Sequence, residues 1–300
     1  MSVINQVRLP VKVYRWDDGN APKYDKSPNC LATIFKACLV TGYGSKAGAG
    51  WSMPFEDMQA GVKVLRPPLS AEQDFYLRLS NDTGTQLKAT VYLNMTAADT
   101  GEIKLQSDTD FYYAKANISG KWLMLATDRQ VWFLTEQHYQ PEKIGKAGTF
   151  FVCGDTAKNE ITGEKAIILH HSGGTFNQSY GLYDSPLSLT PNMSNGLSKI
   201  PIKAYLASDN TVYSLNAIST FDGSNNLTND LYTSPLFFVI NKKIYQIPGV
   251  YASSKGGVDN NFTMINTNFD GEDKTLITFS MSSSDSYYSN FLFDTLRIAY

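Results

Sequence analysis

Lys121-Trp122-Leu123-Met124-Leu125-Ala126 and Val131-Trp132-Phe133-Leu134 are two apolar runs joined by the polar link Thr127-Asp128-Arg129-Gln130. Runs of this length around so short a polar connection predict an antiparallel β-hairpin. Successive strand residues point to opposite faces, and here consecutive positions are apolar, so both faces of the hairpin have to be covered. The pair belongs in the middle of the fold.

Working outward, Phe75, Leu77 and Leu79 alternate with Tyr76 and Arg78, and Val91, Leu93 and Met95 alternate with Thr90, Tyr92 and Asn94. The turn-rich Asn81-Asp82-Thr83-Gly84 lies between them, which predicts a second hairpin. Residues 201–207 and 211–215 flank Ser208-Asp209-Asn210, and residues 236–240 and 244–247 flank Asn241-Lys242-Lys243, giving two more. Residues 165–170 and 275–280 read as further strands, and 291–300 as a last apolar segment. Near the start, Val7, Leu9, Val11 and Val13 alternate with polar residues, but Pro10 cannot donate to a ladder. That strand is expected at an edge, or broken. The polar stretch 154–164 marks a candidate boundary, giving units 1–155 and 156–300 or a single domain of 300 residues.

One helix interrupts the strands. Leu31, Ile34, Phe35, Cys38 and Leu39 follow the i, i+3, i+4, i+7, i+8 spacing of an apolar stripe and predict a helix over residues 28–41 lying on a core. Ser27 suits the N-cap, Pro28 the first turn, and Gly42 a left-handed stop. Beyond it Gly42, Gly44, Gly48 and Gly50 alternate with small residues and meet Trp51, a pattern for a backbone passing close to another surface and anchored by a buried ring. The expected class is mainly β (α+β): packed antiparallel hairpins with one principal amphipathic helix near the N-terminus.

The segment Val13-Tyr14-Arg15-Trp16-Asp17-Asp18-Gly19-Asn20-Ala21-Pro22, the helix end Cys38-Leu39-Val40, and Gly42-Tyr43-Gly44-Ser45-Lys46-Ala47-Gly48-Ala49-Gly50-Trp51 together resemble the opening of a family of virion structural proteins from tailed bacteriophages and prophages. The resemblance covers residues 11–55, and the fragments 150–155 and 245–251 continue it in order and rough spacing. It implies a particle component of head, tail or tail tip and brings no catalytic residue and no cofactor. The partners it implies are other virion proteins and further copies of the same chain. The competing expectation is a tail protein that binds a receptor or host surface glycan, or cleaves one, for which the many Tyr and Trp rings would suit sugar stacking.

Composition narrows the field. With 26 Lys+Arg against 28 Asp+Glu the formal charge is −2, which argues against a nucleic-acid binder. No apolar run approaches the length of a membrane span, and the first residues show no secretory signal, so synthesis in a bacterial cytosol is expected. Cys30 and Cys38 lie on one helix roughly 12 Å apart by helical rise, too far for a disulfide. With Cys153, in the run Thr149-Phe150-Phe151-Val152-Cys153, they read as free buried thiols. The excursion 172–195, rich in Gly, Ser, Asn and Pro, reads as a surface segment that contacts a neighbouring chain.

Four motifs invite chemistry. Gly42-Tyr43-Gly44-Ser45-Lys46-Ala47 matches a dinucleotide string, yet it follows a helix C-terminus, where the dipole has the wrong sign for a pyrophosphate. His170-His171 are neighbours on a strand, so their rings point to opposite faces and do not share an ion. Asn266-Thr267-Asn268-Phe269-Asp270-Gly271 opens like a calcium loop, but its twelfth position is Ile277 and its flanks read as strands. The acid pairs Asp17-Asp18, Glu56-Asp57 and Glu272-Asp273 are adjacent in sequence and diverge on any regular element. No catalytic, cofactor-binding or metal-binding residue is assigned, and a non-enzyme is expected.

Overall fold

The computed structural model describes residues 8–68, 74–106, 111–112, 118–137, 147–157, 159, 162–171, 199–218, 233–253, 262–269, 272–280, 290–295 and 297–299. The first ten strands are β1 (Arg8–Pro10), β2 (Lys12–Arg15), β3 (Ser52–Asp57), β4 (Val62–Arg66), β5 (Tyr76–Ser80), β6 (Gln86–Ala97), β7 (Thr100–Gln106), β8 (Phe111–Tyr112), β9 (Ile118–Ala126) and β10 (Gln130–Gln137). They continue as β11 (Ala147–Asp155), β12 (Ala166–His171), β13 (Lys199–Leu206), β14 (Thr211–Ile218), β15 (Thr233–Ile240), β16 (Lys243–Ser253), β17 (Met264–Phe269), β18 (Glu272–Ser280), β19 (Asn290–Asp294) and β20 (Arg297–Ala299). One helix, α1 (Cys30–Lys36), lies near the N-terminus. The protein is mostly β, as the alternating patterns predict.

A twelve-stranded antiparallel sheet runs β17-β18-β19-β16-β15-β14-β13-β12-β11-β10-β9-β2, and a smaller sheet runs β3-β4-β5-β6-β7 with β8 also on β6. The hairpins β5–β6, β9–β10, β13–β14 and β15–β16 form with the expected turns. The first strand breaks at Val11, so β1 pairs with β20 while β2 edges the large sheet, as Pro10 led one to expect.

β9 to β12 are buried on both faces. Trp122, Met124, Ala126, Phe133, Phe151, Cys153, Ile167 and Leu169 share a cluster with Leu31, Ile34, Phe35, Cys38 and Leu39 of the helical segment and with Leu65, Leu77, Leu79, Leu87 and Val91 of the small sheet. The intervening residues Leu123, Leu125, Trp132, Leu134, Val152 and Ile168 share a second cluster with Leu236, Phe238, Ile247, Ile277, Phe279 and Phe293 of β15, β16, β18 and β19. The sheet closes on itself across its middle joint, where among the described residues β14 and β15 are matched at Ile218↔Phe237. The strands beyond that joint fold back over β9–β12, and the Trp132 and Phe293 rings meet at 5.2 Å.

Four local expectations need correction. The helix is shorter than residues 28–41: α1 ends at Lys36 and the chain continues as a wider π turn over Ala37–Thr41. Ser27 does not cap it, because its hydroxyl donates to Asp25 (2.6 Å) and the preceding residue Asn29 is left-handed, φ 67°. The buried Asp82 carboxylate, from the β5–β6 turn, instead accepts the N–H of Ala32 at 2.7 Å and of Gly84 at 2.8 Å. Gly42 does take positive φ (75°), but with ψ 176° it is extended and not a left-handed helical stop. Fourth, Met95 does not share a face with Val91 and Leu93. Asn94 adopts φ 53° and the pairing register shifts between Leu93 and Ala97, a bulge that turns Met95 onto the Tyr92 side.

Phe35 is fully buried, edge-on to Phe133 and Phe151 with centroids 5.1 Å and 5.3 Å away. Replacing it with Ala removes the ring that fills the space between the sheets. Phe35→Ala is expected to lower unfolding free energy by about 3–5 kcal/mol in denaturant titration.

Candidate functional site

The two N-terminal segments that carry the family resemblance are in contact. β2 and the turn after it lie along the Gly-rich segment 42–51. Lys12 Nζ donates to Gly48 O at 2.7 Å, Tyr14 OH to Ala47 O at 2.8 Å, and Lys46 Nζ to Val13 O at 2.8 Å. Asp18 is the hub: its Oδ2 accepts from Arg15 N at 2.7 Å and Tyr43 OH at 2.7 Å, and pairs with Lys46 Nζ at 2.7 Å. Asp17, its neighbour, faces away and takes the Arg15 guanidinium at 2.8 Å.

Glycine is required where the backbones meet. A Cβ on Gly48 would sit 2.4 Å from Val40 O, and one on Gly44 2.3 Å from Gly19 O. The segment turns tightly through paired bonds between Tyr43 and Lys46, 2.9 Å each way. It then returns along the π turn, Ala49 N donating to Cys38 O at 2.9 Å and Trp51 N to Leu39 O at 3.0 Å, which satisfies carbonyls that a helix end leaves open. Trp51 is buried and its indole N–H donates to Thr127 O at 2.9 Å, tying the segment to the β9–β10 turn. The sequence pattern for a close approach anchored by a buried ring describes this region correctly.

Electrostatics at the hub are simple. Burial alone would raise the Asp18 carboxyl, but hydrogen bonds from Lys46 and Tyr43 outweigh it and hold the group below the usual carboxylate range. The Tyr43 hydroxyl is pushed up, first by burial and then by its bond to the Asp18 anion. All three cysteines are free and buried, with Cys30 pushed up to about 11 and Cys38 well above its ordinary value, both by burial. Such thiols stay protonated and pack as small apolar groups.

The other flagged residues do not converge. His170 is buried on β12 opposite Val152, and His171 beside it is opposite Phe151. Asn266 and Asn268 lie on β17 and bond across to β18, through Thr275 and Asp273 at 2.9 Å each; Asp270 and Gly271 are outside the described residues. Glu56 pairs with Lys36 and Lys63, whereas Asp57 caps the N–H groups of Gln59 and Ala60. The excursion 172–195 also lies outside the described residues. Among the described residues no group of three or more His, Cys, Asp and Glu is placed to hold a metal.

One polar cluster has no counterpart in the sequence reading. The loop before β12 and the turns of the β13–β14 and β15–β16 hairpins meet at Glu164, which accepts from Ser208, from Tyr245 OH at 2.9 Å and from Lys243 at 3.3 Å. Beside it Asp209 accepts from Tyr213 OH and from Asn241 at 3.4 Å. Bonds to Glu164 overcome its burial, and the Tyr213 bond leads at Asp209, so both carboxyls are held below their ordinary range. They remain charged at neutral pH, the opposite of what a proton-donating glycosidase acid needs. The cluster fastens three loops, and only their turn residues were visible in sequence.

Comparison with protein-family models, with curated proteins and with solved structures returns no match for this chain. The class the fold defines is a mainly β protein of antiparallel sheets, with a single short helix among the described residues, near the N-terminus.

Because the folded Asp18 carboxyl is depressed, its stabilisation is present above the ordinary carboxylate pKa and fades as pH falls through the lower folded value. Asp18→Asn is expected to lower stability at pH 7 by about 2 kcal/mol, the scale of a hydrogen bond to a charged group. The difference from wild type should shrink in the acid limb of a pH series of thermal melts. Gly48→Ala, which forces the Val40 carbonyl aside, is expected to destabilise by about 1–3 kcal/mol in the same assay.

Proposed function

We propose that this chain is a structural component of a tailed-phage or prophage particle, made in the host cytoplasm and acting by assembly with other virion proteins and with copies of itself. The observation that carries the reading is the docking of segment 13–22 onto segment 42–51 through Asp18, Tyr43, Lys46 and the close approaches at Gly44 and Gly48. The resemblance lies on two separated strings; their contact makes them one folding unit with one set of packing requirements. A rigid, doubly covered β framework with a charge of −2 also suits close packing among like subunits. Head, tail and tail tip fit these features equally.

Particles purified on a density gradient after induction or infection are expected to contain the chain by mass spectrometry, at a stoichiometry that persists through a second gradient. Detection only in the cell lysate would overturn the proposal.

A further inference from the structure

An outer strand presents unpaired backbone groups to any other extended chain, and native sheets blunt that edge with charge, proline or glycine bulges. Of the four strands that end the two larger sheets, three follow the rule. β2 carries Lys12 and Arg15, β3 carries Pro54, Glu56 and Asp57, and β7 carries Gly101, Glu102 and Lys104. β17, which ends the twelve-stranded sheet, reads Met264-Ile265-Asn266-Thr267-Asn268-Phe269 and contains no charged residue, no proline and no glycine. Among the described residues its outer edge pairs with no strand, and Met264 is 53% exposed.

The strand also has the symmetry of a partner to itself. About Thr267 the order is apolar, Asn, Thr, Asn, apolar, so it reads alike in both directions. Antiparallel pairing with a second copy, on a two-fold axis at Thr267, sets Thr267 against Thr267, Asn266 against Asn268, and Ile265 against Phe269. The Thr–Thr and Ile–Phe matches belong to the kinds that stabilise cross-strand pairs. The amides complement one another as well. Asn266 uses its oxygen on the Thr275 hydroxyl and keeps its NH2 group, while Asn268 uses its NH2 group on Asp273 and keeps its oxygen. In this register the retained donor of one copy faces the retained acceptor of the other, twice by symmetry. No charge meets its own image.

We propose that β17 is a self-complementary docking edge at which a second copy of this chain adds its own β17 antiparallel, joining two twelve-stranded sheets across a two-fold axis. This names a surface for the assembly proposed above but is measured on the purified chain. A failure in either test therefore leaves the other reading standing.

The experiment compares the wild-type chain with two double variants by light scattering and sedimentation at tens of micromolar, each checked for an intact thermal transition. In the Thr267-centred register N266K/N268K places Lys against Lys twice, whereas N266D/N268K places Asp against Lys twice and keeps an acceptor for Thr275 and a donor for Asp273. The proposal expects a wild-type dimer, a dissociation constant raised about tenfold or more in N266K/N268K, and a dimer retained in N266D/N268K. A monomeric wild type, a dimer that tolerates N266K/N268K, or dissociation of both variants would overturn it. If N266K/N268K loses its transition, Thr267→Lys, which sets like charges on the axis itself, replaces it with the same expected dissociation.

Discussion

A strand with apolar side chains on both faces has no side to offer water, and β9–β12 impose that condition on everything around them. Trp122, Met124 and Phe133 point one way and Leu123, Leu125 and Trp132 the other, all of them buried. Two covers are needed, and the chain supplies them from different parts of itself. The helical segment and the small sheet close one face, and the returning strands β15–β19 close the other. Each fully buried large side chain in these layers contributes about 1.5–3 kcal/mol of transfer free energy, so neither cover is dispensable to a fold of ordinary marginal stability.

The first cover depends on polar detail at its rim. α1 is short, and its leading N–H groups would be left without partners in a buried setting; Asp82 answers them from the neighbouring hairpin turn. Burial raises the Asp82 carboxyl against the pull of the N–H groups it accepts, so this cap is retained at some electrostatic expense. At the other end the Gly-rich segment satisfies the π-turn carbonyls and then locks onto β2 through Asp18 and Lys46. Helix, loop and edge strand are one mechanical unit.

How much of this was legible follows from the range of the interactions. Hairpins with short polar turns between apolar runs, such as 121–134 and 236–247, could be read because strand period and turn chemistry are local signals. The double burial of β9–β10 was legible for the same reason, since it appears as a run without alternation. β3 and β4 went unread: Met53 and Phe55 on β3 are only half-buried and flank Pro54, which argues against a strand, and β4 offers just Val62 and Val64 as alternating positions before Leu65. The Asp82 cap was invisible because the residues it joins are 50 positions apart. The π turn and the Asn94 bulge each depart by one residue from a regular period, and a pattern match runs straight through them. At the candidate site the glycines and Trp51 announced a close approach, but Asp18 as its polar hub emerged only once β2 was laid beside the loop. The Glu164 cluster joins three turns that sequence order keeps apart.

The closure of the large sheet on itself also sets an order of events for a chain leaving the ribosome. Contacts in the first cover lie mostly among residues before 170, whereas Trp132 finds Phe293 only once residue 293 has been made. Until then the Leu123, Leu125 and Trp132 face stands open, with unsealed strands beside it. Long-range β closure of this kind is slow and exposes surface that associates with other nascent chains. The second core is therefore completed later than the first, and the yield of the protein depends on how long that face waits.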